Sequence, residues 1–302
     1  MIVSAVDAQT LVDAVGLGAV YALMAVGIGL VFGVLRLVNF AYGQLIMVGA
    51  YVLAFTSTWP VAASVAACFA VVVALSLALE RAVFRPLRTS SPAVMLVTTF
   101  AIAFLLQAVA LILDIRDGTI GEVAVSVAPL NQVVTIGGVD VRKVTILAVA
   151  VAVIALALLA LLLARTTIGL QMRAASTDFR TARLLGVQAD RVIAVAVLLS
   201  GILAATVAVI LTIQFPLVAP EFALKETIVV LVGVVVGGID RLWTATLGGF
   251  AIGFATGVIN GALPTDKTVF LPSAVFALVI LVLLLRPGGL FAGGRSTLAE
   301  RV

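Results

Sequence analysis

The sequence predicts an all-α polytopic membrane protein with about eight or nine transmembrane or re-entrant helices. Two observations carry that prediction. The chain of 302 residues is 64% hydrophobic and 11% charged, with a mean hydropathy of +1.33, whereas soluble domains carry about 25% charged residues. Its apolar residues also fall into runs near the length of a bilayer crossing, about 20 residues as a helix, and the charges collect at the ends of those runs. The whole chain, 1–302, reads as one transmembrane domain.

The runs lie at 11–34, 38–57, 60–79, 92–113, 144–164, 192–213, 226–239, 242–263 and 269–285. The first begins without a basic stretch ahead of it, so a cleaved signal peptide is not expected. The second and third are separated only by Thr58 and Trp59, which suggests that one of them is broken or re-entrant. The run at 226–239 is short for a crossing. Gly16, Gly18, Gly27, Gly29 and Gly33 punctuate the first run. Gly249, Gly253 and Gly257 repeat every fourth residue in the eighth, so they share a helix face that lets another helix approach closely.

Charge sets the orientation. With 80–91, 165–191, 286–302, Arg36 and the Asp240–Arg241 turn placed inside, the inner side holds 13 of the 18 Lys and Arg. That is the basic-inside bias of membrane proteins. Nine crossings then put the N-terminus outside and the C-terminus inside. The segment 114–143 becomes extracytoplasmic, and weak alternation at Val123, Val125 and Val127 allows a short hairpin there.

The cytoplasmic loop 165–191 is the one long polar interruption on the basic side. Residues 178–185 read as a short helix, with Thr177 as cap, Asp178 in the first turn and Gly186 as its stop. Two roles fit the loop: docking something in the aqueous phase, or a basic segment that only fixes topology.

Enzyme chemistry is poorly supplied. His is absent and Cys68 is the single cysteine, so the usual metal sites and an internal disulfide are excluded. Asp114 and Asp117 have the spacing of a metal pair, but no second acidic cluster accompanies them. A phosphate-cradling glycine loop ending in Gly-Lys-Ser/Thr is missing. We expect no catalytic residues, no bound metal and no bound cofactor. The small net charge of +4 offers no dense basic patch for nucleic acid. The runs contain almost no ionisable residue, which disfavours an ion-coupled carrier. Uncharged polar residues instead offer a path: Asn39, Tyr42, Gln44, Gln107 and Asn260, with Gly43 beside them. Each amide can equally join two helices.

Several stretches, in this order and spacing, resemble one family: AVYALMAVGIGLVFGVLRLVNFAYGQLIMVGAY (19–51), ERAVFRPLRTS (80–90), IGLQMRAASTDFRTARLLGVQADRVI (168–193), VVGGID (235–240), LGGFAIG (247–253) and LVLLLRPGGLFAGG (281–294). The chain is similar over almost its whole length to permease subunits of ATP-driven importers for branched-chain amino acids, the LivH type of the LivH/LivM family. That resemblance implies a multi-pass protein of the bacterial plasma membrane with a second permease as partner. It further implies two cytoplasmic ATPase subunits that bind the ATP and Mg, and an extracytoplasmic substrate-binding protein. It maps an ATPase-coupling site onto Arg173, Ala174, Asp178, Ala182, Gly186 and Val187, with Gly169 at the start of the same element. It maps the family's Asn-Phe-Ala stretch onto Asn39, Phe40, Ala41 and Gly43, with Tyr42 and Gln44 replacing a commoner histidine and glutamate. Asp240, Arg241, Leu242 and Trp243 depart from the family's usual continuation after Gly238. Relatives also carry urea and short amides, so the substrate class stays open, and a motor-independent carrier or channel for small polar solutes is the alternative.

Overall fold

The computed structural model describes residues 7–35, 39–87, 90–117, 122–124, 131–136, 139–177, 179–238 and 241–286. Seven of its helices are long and apolar enough to cross a membrane. They are α1 (Ala8–Leu35), α3 (Val61–Leu79, prolonged by a π-helical turn at Glu80–Phe84 into α4, Arg85–Leu87), α5 (Pro92–Asp117), α6 (Lys143–Arg165), α9 (Ala189–Gln214), α11 (Leu242–Ala262) and α12 (Leu271–Leu285, entered through a 3₁₀ turn at Thr265–Phe270). Two further apolar helices, α2 (Tyr42–Phe55) and α10 (Leu224–Gly237), have 14 residues each. At 1.5 Å per residue each is about 21 Å long, short of the roughly 30 Å hydrocarbon core. The expected eight or nine crossings therefore resolve into seven full-length helices and two short ones. The remaining helices, α7 (Thr167–Thr177) and α8 (Phe179–Leu184), form the polar loop.

Helix α1 is the centre. Nearly every residue from Gly16 to Val31 is buried, and α11, α9, α6 and α10 all pack around it. The glycine face of α11 makes this closeness possible. A Cβ on Gly253 would lie 2.8 Å from the Gly18 Cα and 2.9 Å from the Leu17 carbonyl oxygen, and one on Gly249 2.8 Å from the Tyr21 carbonyl oxygen. Without side chains in the way, the two antiparallel backbones touch and gain dispersion contact along their length. Gly233 and Gly237 of α10 meet Gly248 of α11 in the same manner. Many of the exposed apolar residues lie on α5, α6 and α12, where Ile112, Leu158 and Leu284 are examples; these faces suit lipid.

Contacts between loops separate the molecule into two ends. At one end β1 (Glu122–Val123) pairs with β4 (Leu217–Val218), while β2 (Val133–Ile136) and β3 (Val139–Arg142) form a hairpin. Of the short hairpin expected around Val123, Val125 and Val127, the residues Val125 and Val127 lie outside the described residues. Nearby, the Tyr51 hydroxyl reaches both carboxylate oxygens of Asp114 at 3.0 and 2.9 Å. Asp114 is buried and fastens α5 to α2, a packing role rather than half of a metal pair. At the other end Arg85 donates to Asp190 at 3.0 Å, joining the loop after α3 to the start of α9. The pair is exposed, so it fixes geometry more than stability.

Candidate functional site

The polar loop is held by local chemistry. Thr166 leaves α6 in an extended conformation. Its Oγ1 accepts from the Gly169 N–H at 3.0 Å and so caps α7. Gly169 cannot carry a side chain, because a Cβ would sit 2.5 Å from the Leu162 carbonyl oxygen and the Leu163 Cα. Gly169, Met172 and Ala175 form the buried stripe of α7, leaving Arg173 and Ala174 exposed. Helix α8 then ends as the sequence predicts. Gly186 has φ of +90°, Val187 N–H bonds the Ala182 carbonyl and Gly186 N–H bonds the Arg183 carbonyl, both at 3.1 Å. This is a Schellman stop, which satisfies the last carbonyls of the helix.

The sequence-predicted coupling residues divide by position. Ala182 is buried and Val187 half-buried against the core; they anchor the element. Gly169 and Gly186 shape its two bends. Arg173 and Ala174 face outward, and Asp178 lies outside the described residues. Two residues escaped the sequence reading. Leu184 and Leu185 are 83% and 81% exposed at the tip, beside exposed Arg183. Two adjacent leucines in a polar loop, just before a helix stop, were the available signal.

The second candidate region is buried. Asn39 turns the chain into α2: its Oδ1 accepts from Ala41 N–H at 3.0 Å and its carbonyl from Tyr42 N–H at 3.3 Å. Gly43 lies against Thr227 and the Ala223 carbonyl at the start of α10. The N-terminal ends of the two short helices therefore meet. From that meeting point α2 runs toward the β1–β4 end, which it contacts, and α10 runs toward the start of α11, where Gly237 abuts Thr244 and Gly248. Tyr42 Oη lies against Gly27 in α1, more than two turns before the end of that helix. The junction is thus well inside the bundle. Asn39, Tyr42 and Gln44 are at most 4% exposed, and among the described residues Tyr42 Oη and Gln44 Oε1 have no hydrogen-bond partner. Of the other path residues, Gln107 is half-buried on α5 and Asn260 is exposed near the far end of α11. Neither hydrogen-bonds to the junction among the described residues.

Such an arrangement has a chemical consequence. Two helix dipoles place their positive ends together in a low-dielectric interior. Broken helices of this kind present polar backbone and side-chain groups at mid-membrane depth, where transporters bind their solutes.

Comparison with known proteins places the chain in a family. The family model described as "Branched-chain amino acid transport system / permease component" matches residues 10–285. The high-affinity branched-chain amino acid transport system permease protein BraD of Pseudomonas aeruginosa is 30% identical over 298 residues, covering 93% of this chain and 94% of BraD. The LivH permease proteins of Salmonella typhimurium and Escherichia coli K12 are each 29% identical over 307 residues, again covering 93% of this chain and 94% of theirs. No solved structure gives a significant match. A family match across all of the long helices, together with the membrane-spanning architecture, shows that the chain belongs to the permease components of branched-chain amino acid transport systems.

Proposed function

We propose that this permease is the translocation subunit of an ATP-driven importer for branched-chain amino acids or related small amino-acid or amide solutes. It forms the path with a second permease in the bacterial plasma membrane, receives solute from an extracytoplasmic binding protein, and is driven by two cytoplasmic ATPase subunits that hold the ATP and Mg. The N-terminus lies outside and the loops 80–91 and 165–191 inside. In this reading the seven long helices cross, and α2 and α10 each cover part of the bilayer and complete a separate pass together with the chain that leads into them, which gives nine.

The observation that carries the reading is the tip of the 165–191 loop. Leu184 and Leu185 are exposed at an aqueous boundary, where apolar side chains are left open chiefly for a partner. Helix α8, which leads into this tip, is anchored by buried Ala182 and ended by the Gly186 stop. A motor that pushes on this tip moves α7 and, through Thr166 and Val187, the ends of α6 and α9. The path is assigned to the α2–α10 junction. There Gln44 and Tyr42 offer unpaired oxygens for an ammonium group, the two helix ends favour a carboxylate, and the surrounding apolar residues suit a branched side chain.

The test is co-expression with candidate ATPase and binding-protein partners, co-purification, and uptake of labelled leucine, isoleucine, valine and short amides into vesicles. ATP-dependent uptake that also requires the binding protein is expected. Equal uptake by the chain alone, without nucleotide, would replace this reading with a motor-independent carrier.

A further inference from the structure

Helices α6 and α11 both pack on α1 but leave a gap between them at the basic end. The gap is a groove of about 1020 Å³. One wall is the last turns of α6, with Leu156, Leu159, Ala160 and Leu163; the other is the first turns of α11, with Leu242, Trp243 and Leu247; Val26 of α1 forms the floor. Arg173 of α7 and Arg241 close it at the polar end. A second, smaller space continues from it under α7, past Met172 to Gly33.

From this we infer that the groove binds an anionic phospholipid of the adjacent leaflet, with its acyl chain between α6 and α11 and its phosphate at Arg173 and Arg241. The chemistry of the lining matches an amphiphile from end to end. The walls are aliphatic at the depth of acyl chains and cationic at the depth of headgroups. Neither guanidinium has an ion-pair partner among the described residues, in contrast to Arg85. Trp243 is 55% exposed at the transition between the two zones, a depth that tryptophan favours. Ser176 and Thr177 also lie at the polar end, but both donate to the Arg173 carbonyl. Charge selectivity therefore rests on the two arginines. A zwitterionic lipid fits the walls equally well and gains less at the arginines, each of which favours an anionic headgroup by about fivefold. The lipid would lie directly beneath α7 and fill the space that its movement must change. The inference does not depend on which solute the permease carries.

Trp59 and Trp243 are the two tryptophans, which supplies a probe. The full chain carrying Trp59→Phe is placed in nanodiscs of phosphatidylcholine containing increasing mole fractions of dibrominated-chain phosphatidylglycerol or, in parallel, dibrominated-chain phosphatidylcholine. Bromine quenches Trp243 only on contact. We expect phosphatidylglycerol to quench at about 25-fold lower mole fraction, and Arg241→Gln to reduce that preference about fivefold. Ala160→Phe, which fills the apolar half, should weaken quenching by both lipids. Equal quenching by the two lipids would mean an unselective lipid boundary and overturn the proposal. Absence of quenching by either would mean that protein covers the groove, and would overturn it too. Both lipids occupy both leaflets of a nanodisc, so a failure here is independent of the proposed orientation and of the transport assay.

Discussion

Replacing Gly186 separates the coupling element from the rest of the fold. Its φ of +90° lies in the left-handed region, where an L side chain costs about 1–2 kcal/mol. No heavy atom lies within 4 Å of an added Cβ, so Gly186→Ala carries this backbone cost without a clash. The cost falls on a helix of six residues, far below the roughly 12–15 residues at which isolated helices become even marginal. Packing of Ala182 and the Schellman bonds must hold α8 together, and a loss of about 1–2 kcal/mol changes the ratio of formed to unformed α8 by a factor of about 5–30, which lowers the formed fraction about 3- to 15-fold where that stability is near zero. ATP-driven uptake in vesicles should fall by a factor of about three or more on this arithmetic, with unchanged membrane insertion and weaker retention of the ATPase subunits. Gly186→Asn should recover much of the activity, because asparagine enters the left-handed region at lower cost. Uptake by Gly186→Ala equal to that of the parent would refute the coupling role. So would a Gly186→Asn protein as defective as Gly186→Ala, since the backbone cost would then not be the cause.

Four other outcomes test the remaining structure. Gly253→Ala forces α11 away from α1 and should lower stability by about 1–3 kcal/mol, read as a lower melting temperature in detergent, while Gly33→Ala, with open space around it, should be neutral or slightly stabilising. Tyr51→Phe removes the hydroxyl that serves the buried Asp114 carboxylate and should cost about 1–3 kcal/mol in the same measurement. Gln44→Leu should abolish or strongly reduce uptake while leaving the melting temperature nearly unchanged, because Oε1 has no partner to lose; the opposite pattern would make Gln44 a packing residue. Arg85→Ala breaks an exposed pair and should change stability by no more than about 1 kcal/mol.

Hydropathy made the helices legible because the bilayer dominates everything else in such a chain. The runs at 60–79, 144–164 and 242–263 correspond to Val61–Leu79, Lys143–Arg165 and Leu242–Ala262 within a residue or two. The cap at Gly186 was equally legible, since left-handed φ and a helix stop are properties of one residue. Facing direction was not. Helix α1 is buried all round and α6 largely faces outward, yet both are apolar on every side, so no amphipathic pattern distinguishes them. The distinction lay in residue size: α1 and α11 are rich in glycine, and α6 is made of leucine, valine and alanine. Asn39 and Gln44 could be singled out as polar residues in an apolar run, but nothing local tells whether a polar residue joins helices or lines a path.

Depth was the other quantity the sequence could not convey, and it matters most for the site. A 14-residue apolar helix reads the same whether it begins at the membrane surface or halfway through. Only the contact of Gly43 with Thr227 and Ala223 shows that α2 and α10 start from a common point, and their contacts with the β1–β4 end and with the start of α11 show that they run in opposite directions. That contact requires glycine, because a Cβ would lie 2.5 Å from Thr227 Oγ1 and 3.2 Å from the Ala223 carbonyl oxygen. The same glycine therefore sets both the closeness of the two helix ends and the position of Gln44, one residue further along the helix. A movement of α10 relative to α2 must open or close this junction first. The loop that a motor would push lies between α6 and α9, and α9 packs against both α2 and α1. Ser200 of α9 donates to the Gly27 carbonyl at 2.8 Å, the glycine against which Tyr42 rests. A push transmitted from Leu184 and Leu185 to α9 is thus two helix contacts away from the oxygens at the junction, by way of Ser200 and Gly27.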